Sequence, residues 1–126
     1  MPAYRSRIGS VQFLPPAPVV ELHVSDGSSV ESVEALIDSG ADATCLPVMV
    51  VERLELQPIS VLLVGGAVAR AENRLVYRAR SLRLAHIVVD NFAVIEMPID
   101  DAIVGRDLLN RFRVLLDGPK LAFTIE

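Results

Sequence analysis

Cysteine occurs once in the 126 residues, at Cys45. A lone thiol cannot close an internal disulfide, and it suits a reducing compartment. Histidine is nearly as scarce. His23 and His86 stand far apart with no cysteine or carboxylate at ligand spacing, which argues against a metal site and leaves both as strand or turn residues. Positive charge is also short: 12 Lys and Arg face 16 Asp and Glu, for a net charge of −4 with no basic cluster. Nucleic-acid binding is therefore not expected. No apolar run approaches the length needed to span a bilayer; Val61 to Val64 and Ile87 to Val89 are strand-sized. The opening Met1-Pro2-Ala3-Tyr4-Arg5 lacks the apolar core of a secretory signal, so a cytoplasmic location is the expectation. Phosphate loops, dinucleotide fingerprints, internal repeats, linkers and low-complexity tracts are all absent from the sequence.

What is present is apolar and β-leaning. Hydrophobic residues make up 52% and charged residues 22%, with Val, Leu, Ile and Ala abundant. The length fits one domain with a real core and with apolar surface left to cover by association. Residues 1–16 end at Pro15-Pro16 and form an arm, read equally well as an edge strand over Val11 to Leu14 or as a disordered leader. The folded domain is expected over 17–126. Val19 to Val24 alternates as a strand, Ser25 to Ser28 turns, and Val30 to Ile37 returns as its hairpin partner. Pro47 to Leu54 reads as a short helix closed by Gln57-Pro58. Ile59 to Val64 rises to Gly65-Gly66, and Ala67 to Ala71 returns. Leu75 to Leu84 carries Arg74, Arg78, Arg80 and Arg83 on a wet face, and Val88 to Ile95 follows with a turn or bulge at Asp90-Asn91. After the loop Met97 to Asp101, Ala102 to Val104 leads to a helix over Arg106 to Phe112 whose Leu108, Leu109 and Phe112 face the core. Val114 to Leu116 and Leu121 to Ile125 form a closing hairpin.

The stretch that speaks about function is Ala35-Leu36-Ile37-Asp38-Ser39-Gly40-Ala41-Asp42. A buried strand delivers a carboxylate, Asp38, to a tight turn, where a hydroxyl beside it can lock the loop and Gly40 leaves room for close backbone approach. Neither Asp26-Gly27 nor Asp117-Gly118 repeats the pattern. One carboxylate cannot hydrolyse an amide alone.

Three segments in order, the Asp38 loop, Val64-Gly65-Gly66-Ala67 and Ile103-Val104-Gly105-Arg106-Asp107-Leu108-Leu109, make the chain resemble the retropepsins, the single-domain aspartic peptidases of retroviruses and their cellular and bacterial relatives. The resemblance spans most of 17–126 and implies an all-β acid-protease barrel with one or two short helices. It also implies a symmetric homodimer, since 126 residues are too few for the two lobes of a pepsin-like monomer. In such a dimer the two copies of Asp38 share one proton. One takes a proton from a bound water while the other polarises the scissile carbonyl of an extended peptide, and no cofactor is required. Carried over position by position, Ser39 would hydrogen-bond beneath the dyad and Gly40 would accept a substrate amide. Asp42 would bind substrate backbone and pair with a buried Arg106. Gly65 and Gly66 would close as a flap, and Ala41, Cys45 and Ile103 would line side-chain pockets. Serine stands where threonine is commoner, and one glycine pair stands where viral flaps carry two. Asp100, Asp101 and Asp107 are either selectors of basic or polar side chains or solvated loop charges. Cys45 is read as a pocket-wall or core thiol rather than a nucleophile. The alternative to an aspartic endopeptidase is a catalytically silent module that dimerises or binds peptides through the same groove.

Overall fold

Alternation of apolar and polar residues decides where the strands lie. The computed structural model describes residues 2–8, 11–65 and 70–126. Strand β3 (Val19–Ser25) turns Leu22 and Val24 inward and Glu21 outward. It pairs antiparallel with β4 (Val30–Ile37) around a turn in which the Asp26 carboxylate accepts the N–H groups of Ser28 and Ser29, both at 2.7 Å. Those bonds hold the Asp26 carboxyl below its ordinary range. Gly27 supplies the turn's left-handed residue, with φ of 102°.

The main sheet runs β3, β4, β9 (Ala102–Val104), β5 (Cys45–Pro47), β8 (Ile87–Met97), β7 (Glu72–Leu84) and β6 (Gln57–Val64). Strand β7 changes partner along one edge: residues near its start pair with β6, and Ser81 to Leu84 pair with β3. That second pairing closes the sheet on itself and leaves β6 with the start of β7 as a hairpin outside the closed ring. Closure removes most free edges, which otherwise recruit other chains. Helix α1 (Val48–Leu54) begins directly after Pro47 and stops where Glu55 turns left-handed at φ 53°. It buries Val50, Val51 and Leu54 in the core formed by Leu22, Leu46, Leu82, Val94, Leu108 and their neighbours.

Two smaller pairings flank the ring. Strands β1 (Arg5–Ile8) and β2 (Val11–Ala17) form a hairpin, so the arm is extended structure that runs through Pro15 and Pro16. Strands β10 (Val114–Asp117) and β11 (Ala122–Ile125) form the closing hairpin, whose Phe123 is wholly buried.

Several boundaries differ from the sequence reading. Strands β6 and β7 begin at Gln57 and Glu72 because pairing across the hairpin holds residues that lack strong alternation of their own. Strand β8 runs through Asp90-Asn91 without a turn, with Asn91 absorbing the distortion at φ 51°. Helix α2 covers only Arg106–Leu109, and Phe112 reaches the core from the turn beyond it. Gly66 to Ala69, most of the expected hairpin tip and return, lie outside the described residues.

Leu22 sits fully buried on β3, the strand that joins both ends of the closed sheet. Leu22→Ala should cost about 2–5 kcal/mol of unfolding free energy, read as a lowered midpoint in urea with an unchanged slope.

Candidate functional site

The loop after β4 is short and heavily hydrogen-bonded, and its partners beyond itself come from the end of β9 and the start of α2. The Asp38 N–H donates to the Val104 carbonyl at 3.0 Å, continuing the parallel pairing of β4 with β9 one residue into the loop. The chain then turns, with Ala41 N–H donating back to Asp38 O at 3.2 Å. Gly40 N–H donates to Asp38 Oδ1 at 2.9 Å, which aims the carboxylate. A Cβ on Gly40 would stand 3.1 Å from that same oxygen, so a side chain there would press on the carboxylate it is meant to orient.

Across the loop, Arg106 N–H donates to Ala41 O at 2.9 Å and Asp107 N–H to Asp42 O at 3.3 Å. The Arg106 guanidinium donates to Ser39 O at 2.8 Å and forms an ion pair with Asp42. This pairing matches the sequence expectation, but the burial does not. The Arg106 side chain is 41% exposed and that of Asp42 92%, because the loop they brace lies at the surface. Asp107 departs from both readings offered for it. Its carboxylate accepts the Thr44 N–H at 3.1 Å and the Thr44 hydroxyl at 2.8 Å, while Thr44 Oγ1 accepts Gly105 N–H at 3.2 Å. Thr44 is wholly buried, so both Asp107 oxygens are committed to an interior residue even though Asp107 itself lies at the surface.

Close packing makes these bonds possible. A Cβ added to Gly105 would fall 2.5 Å from the backbone carbon and oxygen of Ala43, although its φ of −94° is ordinary. The glycine is required by the approach of two backbones, not by a special dihedral angle.

Above the loop lies a cavity of about 500 Å³. Gly40, Ala41, Asp42, Cys45, Gly65 and Ile103 all line it. Asp38 and Ser39 do not, and Ser39 faces a separate groove beside α2. Gly66 lies outside the described residues. Ile95, Met97 and Leu62 also line the cavity, and the sequence reading does not include them. Sheet register explains their place: Val76 pairs with Ile95, Ile95 with Cys45, and Cys45 with Ile103, so this row of side chains shares one face. The spacing of Ile95 and Met97, two apart in a strand, is the available signal. Apart from the Asp42 carboxylate the wall side chains are apolar.

Cys45 is 8% exposed, and its Sγ lies 3.5 Å from Ala43 O. Burial first, then the Asp107 and Asp38 charges, push its thiol up to about 11 from an ordinary 9.0. A thiol so placed is protonated at neutral pH and is no nucleophile. Asp101 is raised above the ordinary aspartate value, by burial first and then by neighbouring Asp100. Among the described residues no three His, Cys, Asp or Glu side chains gather as a metal-holding group.

The chain is similar to known proteins in sequence and in fold. The family model described as "gag-polyprotein putative aspartyl protease" matches residues 27–111, more than half of the chain and inclusive of both the Asp38 loop and the Gly105-Arg106 segment. Among solved structures, EIAV protease complexed with the inhibitor HBY-793 superposes with a TM-score of 0.60 at 19% identity, over 80% of this chain and 93% of that one. The foamy viral protease-reverse transcriptase in complex with an RNA/DNA hybrid gives 0.59 at 18% identity, over 77% of this chain and 12% of that longer polypeptide. No curated protein matches.

The two supports of the loop should respond differently to truncation. Asp107→Ala strips a buried hydroxyl and N–H of their acceptor and should cost about 1–3 kcal/mol, whereas Arg106→Ala, losing a solvent-screened pair and a carbonyl contact, should cost about 0–1 kcal/mol; paired urea titrations check the order. For Cys45, alkylation of the folded chain should rise with a midpoint near pH 11, against 9.0 when denatured. Because the folded thiol ionises later, its contribution to stability is complete below pH 9.0 and is lost as pH climbs towards 11. The fold is that of the retroviral proteases, and the chain belongs to the retropepsin-like aspartyl protease family.

Proposed function

We propose that the chain is an aspartic endopeptidase that works as a homodimer, with Asp38 from each copy forming one catalytic pair. The observation that carries the reading is the aimed carboxylate: Asp38 Oδ1 is held by Gly40 N–H at 2.9 Å on a loop braced from beneath by Gly105, Arg106 and Asp107. A single copy holds one such group. Amide hydrolysis needs a base to take a proton from water and an acid to polarise the carbonyl, so the second group comes from an identical chain.

Two carboxylates at hydrogen-bond separation cannot both be ionised, and they hold one proton between them. The ionised member deprotonates a water bound between the pair. The protonated member donates to the carbonyl oxygen of the scissile bond, giving a tetrahedral gem-diol without a covalent enzyme intermediate. Proton return to the amide nitrogen then breaks the C–N bond and releases the two peptides. Ser39, next to Asp38, stabilises the pair across the twofold axis. Gly40 and Asp42 hold the substrate main chain, and Ala41, Cys45 and Ile103 contact its side chains. The β6–β7 hairpin, whose connecting sequence carries the Gly65-Gly66 pair, closes over the peptide as a flap and limits water access. The family match and the retroviral-protease fold support this reading, as does the joint lining of one cavity by the loop and the end of β6.

The test is digestion of a diverse peptide pool across acidic to neutral pH. Acid-favoured cleavage is expected, reduced at least about 10³-fold by Asp38→Asn and blocked by pepstatin, a transition-state mimic for this class. Cleavage that survives Asp38→Asn overturns the proposal. A dimer that binds peptides without cutting them identifies the silent module instead.

A further inference from the structure

Resting on the dimeric reading above, we propose that the second copy docks on the free edge of β10, and that the N-terminal segment stays with its own chain instead of being exchanged. The closing hairpin has two outer edges. That of β11 is occupied from within: Tyr4 N–H donates to Leu121 O at 2.7 Å, Phe123 N–H donates to Pro2 O at 3.0 Å, and Ala3 bridges Ala122 antiparallel. Strand β10 pairs only with β11 among the described residues, so its other edge presents unpaired backbone groups. An exposed apolar edge of this kind is a template for another strand.

Side chains point to the same place. Leu116 and Val114 share a face with Phe123 and Ile125, their partners in the hairpin. Phe123 and Ile125 are buried, whereas Leu116 is 51% exposed and Leu115, on the opposite face, 55%. The sheet is thus covered under β11 and left open under β10. Leu116 shares the lining of a groove of about 320 Å³ with Ile37, Leu109, Phe112 and Ser39. A strand laid along β10 covers this groove and meets the residue next to Asp38.

The occupant is a second copy because the catalytic pair is incomplete without one, and because an antiparallel strand pair satisfies a twofold axis. With the twofold axis passing at Leu115, β10 pairs with β10 of the other chain. The sheet then continues as residues 2–4, β11, β10 and the same three elements in reverse. Both Ser39 grooves close against the axis, and the two Asp38 loops face one another.

Sedimentation and disulfide trapping test this on the full chain. Leu116→Lys should weaken dimerisation at least about tenfold while far-ultraviolet circular dichroism is unchanged, since an unpaired charge would be buried at the axis. Leu115→Cys, close to the axis, should yield a covalent dimer on mild oxidation, and it serves should the lysine variant fail to fold. A chain carrying both Ala3→Cys and Ala122→Cys should form its new disulfide within one chain, migrating as a monomer on a denaturing, non-reducing gel yet sedimenting as a dimer. A disulfide joining the two introduced thiols between chains, undiminished dimerisation of Leu116→Lys, or an unaltered chain that is monomeric at every concentration overturns the inference. A dimer assembled in this way that cuts no peptide leaves the docking edge standing and removes the peptidase reading alone.

Discussion

The approach of the Gly105 backbone to Ala43 is the constraint on which the rest of the site depends. With no room for a Cβ between them, two stretches of main chain lie in direct contact, and the bonds that brace the Asp38 loop are hung on that contact. Arg106 and Asp107 follow at once in sequence, so their backbone and side-chain donors and acceptors meet Ser39, Ala41, Asp42 and Thr44 without further adjustment. The partly buried Asp107–Thr44 bonds contribute most of the rigidity, since the interior Thr44 hydroxyl is costly to leave unpaired, while the exposed Arg106–Asp42 pair is screened. The loop is therefore held from its inner side and left open on the outer side.

The barrel supplies this arrangement by topology. Parallel pairing of β4 with β9 delivers Asp38 and Gly105 to the same end of the sheet, although 67 residues separate Ser39 from Arg106. Closure through β3 and β7 fixes that pairing by giving both neighbours a buried face. The hairpin of β6 and β7 stands outside the ring, and its end reaches the same cavity as the loop. A braced floor and a projecting hairpin thereby come from different strands of one sheet.

Much of this is legible in the sequence, and the parts that are not share a cause. The Asp38 loop and the Gly105-Arg106-Asp107 segment are local strings with local geometry, and the 19–37 hairpin announces itself by alternation and an Asp-Gly turn. Ile95 and Met97 are hidden because their place beside Cys45 depends on parallel register between β5 and β8, which no nearby residue encodes. Asp107 reads as a substrate selector or a solvated loop charge because an acidic residue beside an arginine looks free until its long-range partner, Thr44, is known. Arg106 is expected to be buried on the strength of its apolar neighbours. Leu108 and Leu109 do go inward, but the arginine opens the helix and points back across an exposed loop.

One chain is proposed to carry half a catalytic centre, prepared by its own backbone contacts for completion by a copy of itself. The most direct measurement is a crystal structure of the chain with a hydroxyl-bearing peptide isostere. Two Asp38 carboxylates about 3 Å apart, flanking the isostere's hydroxyl across a twofold axis, are the expected result. Isostere bound to a single copy, or a dimer in which the two carboxylates face away from one another, would contradict it.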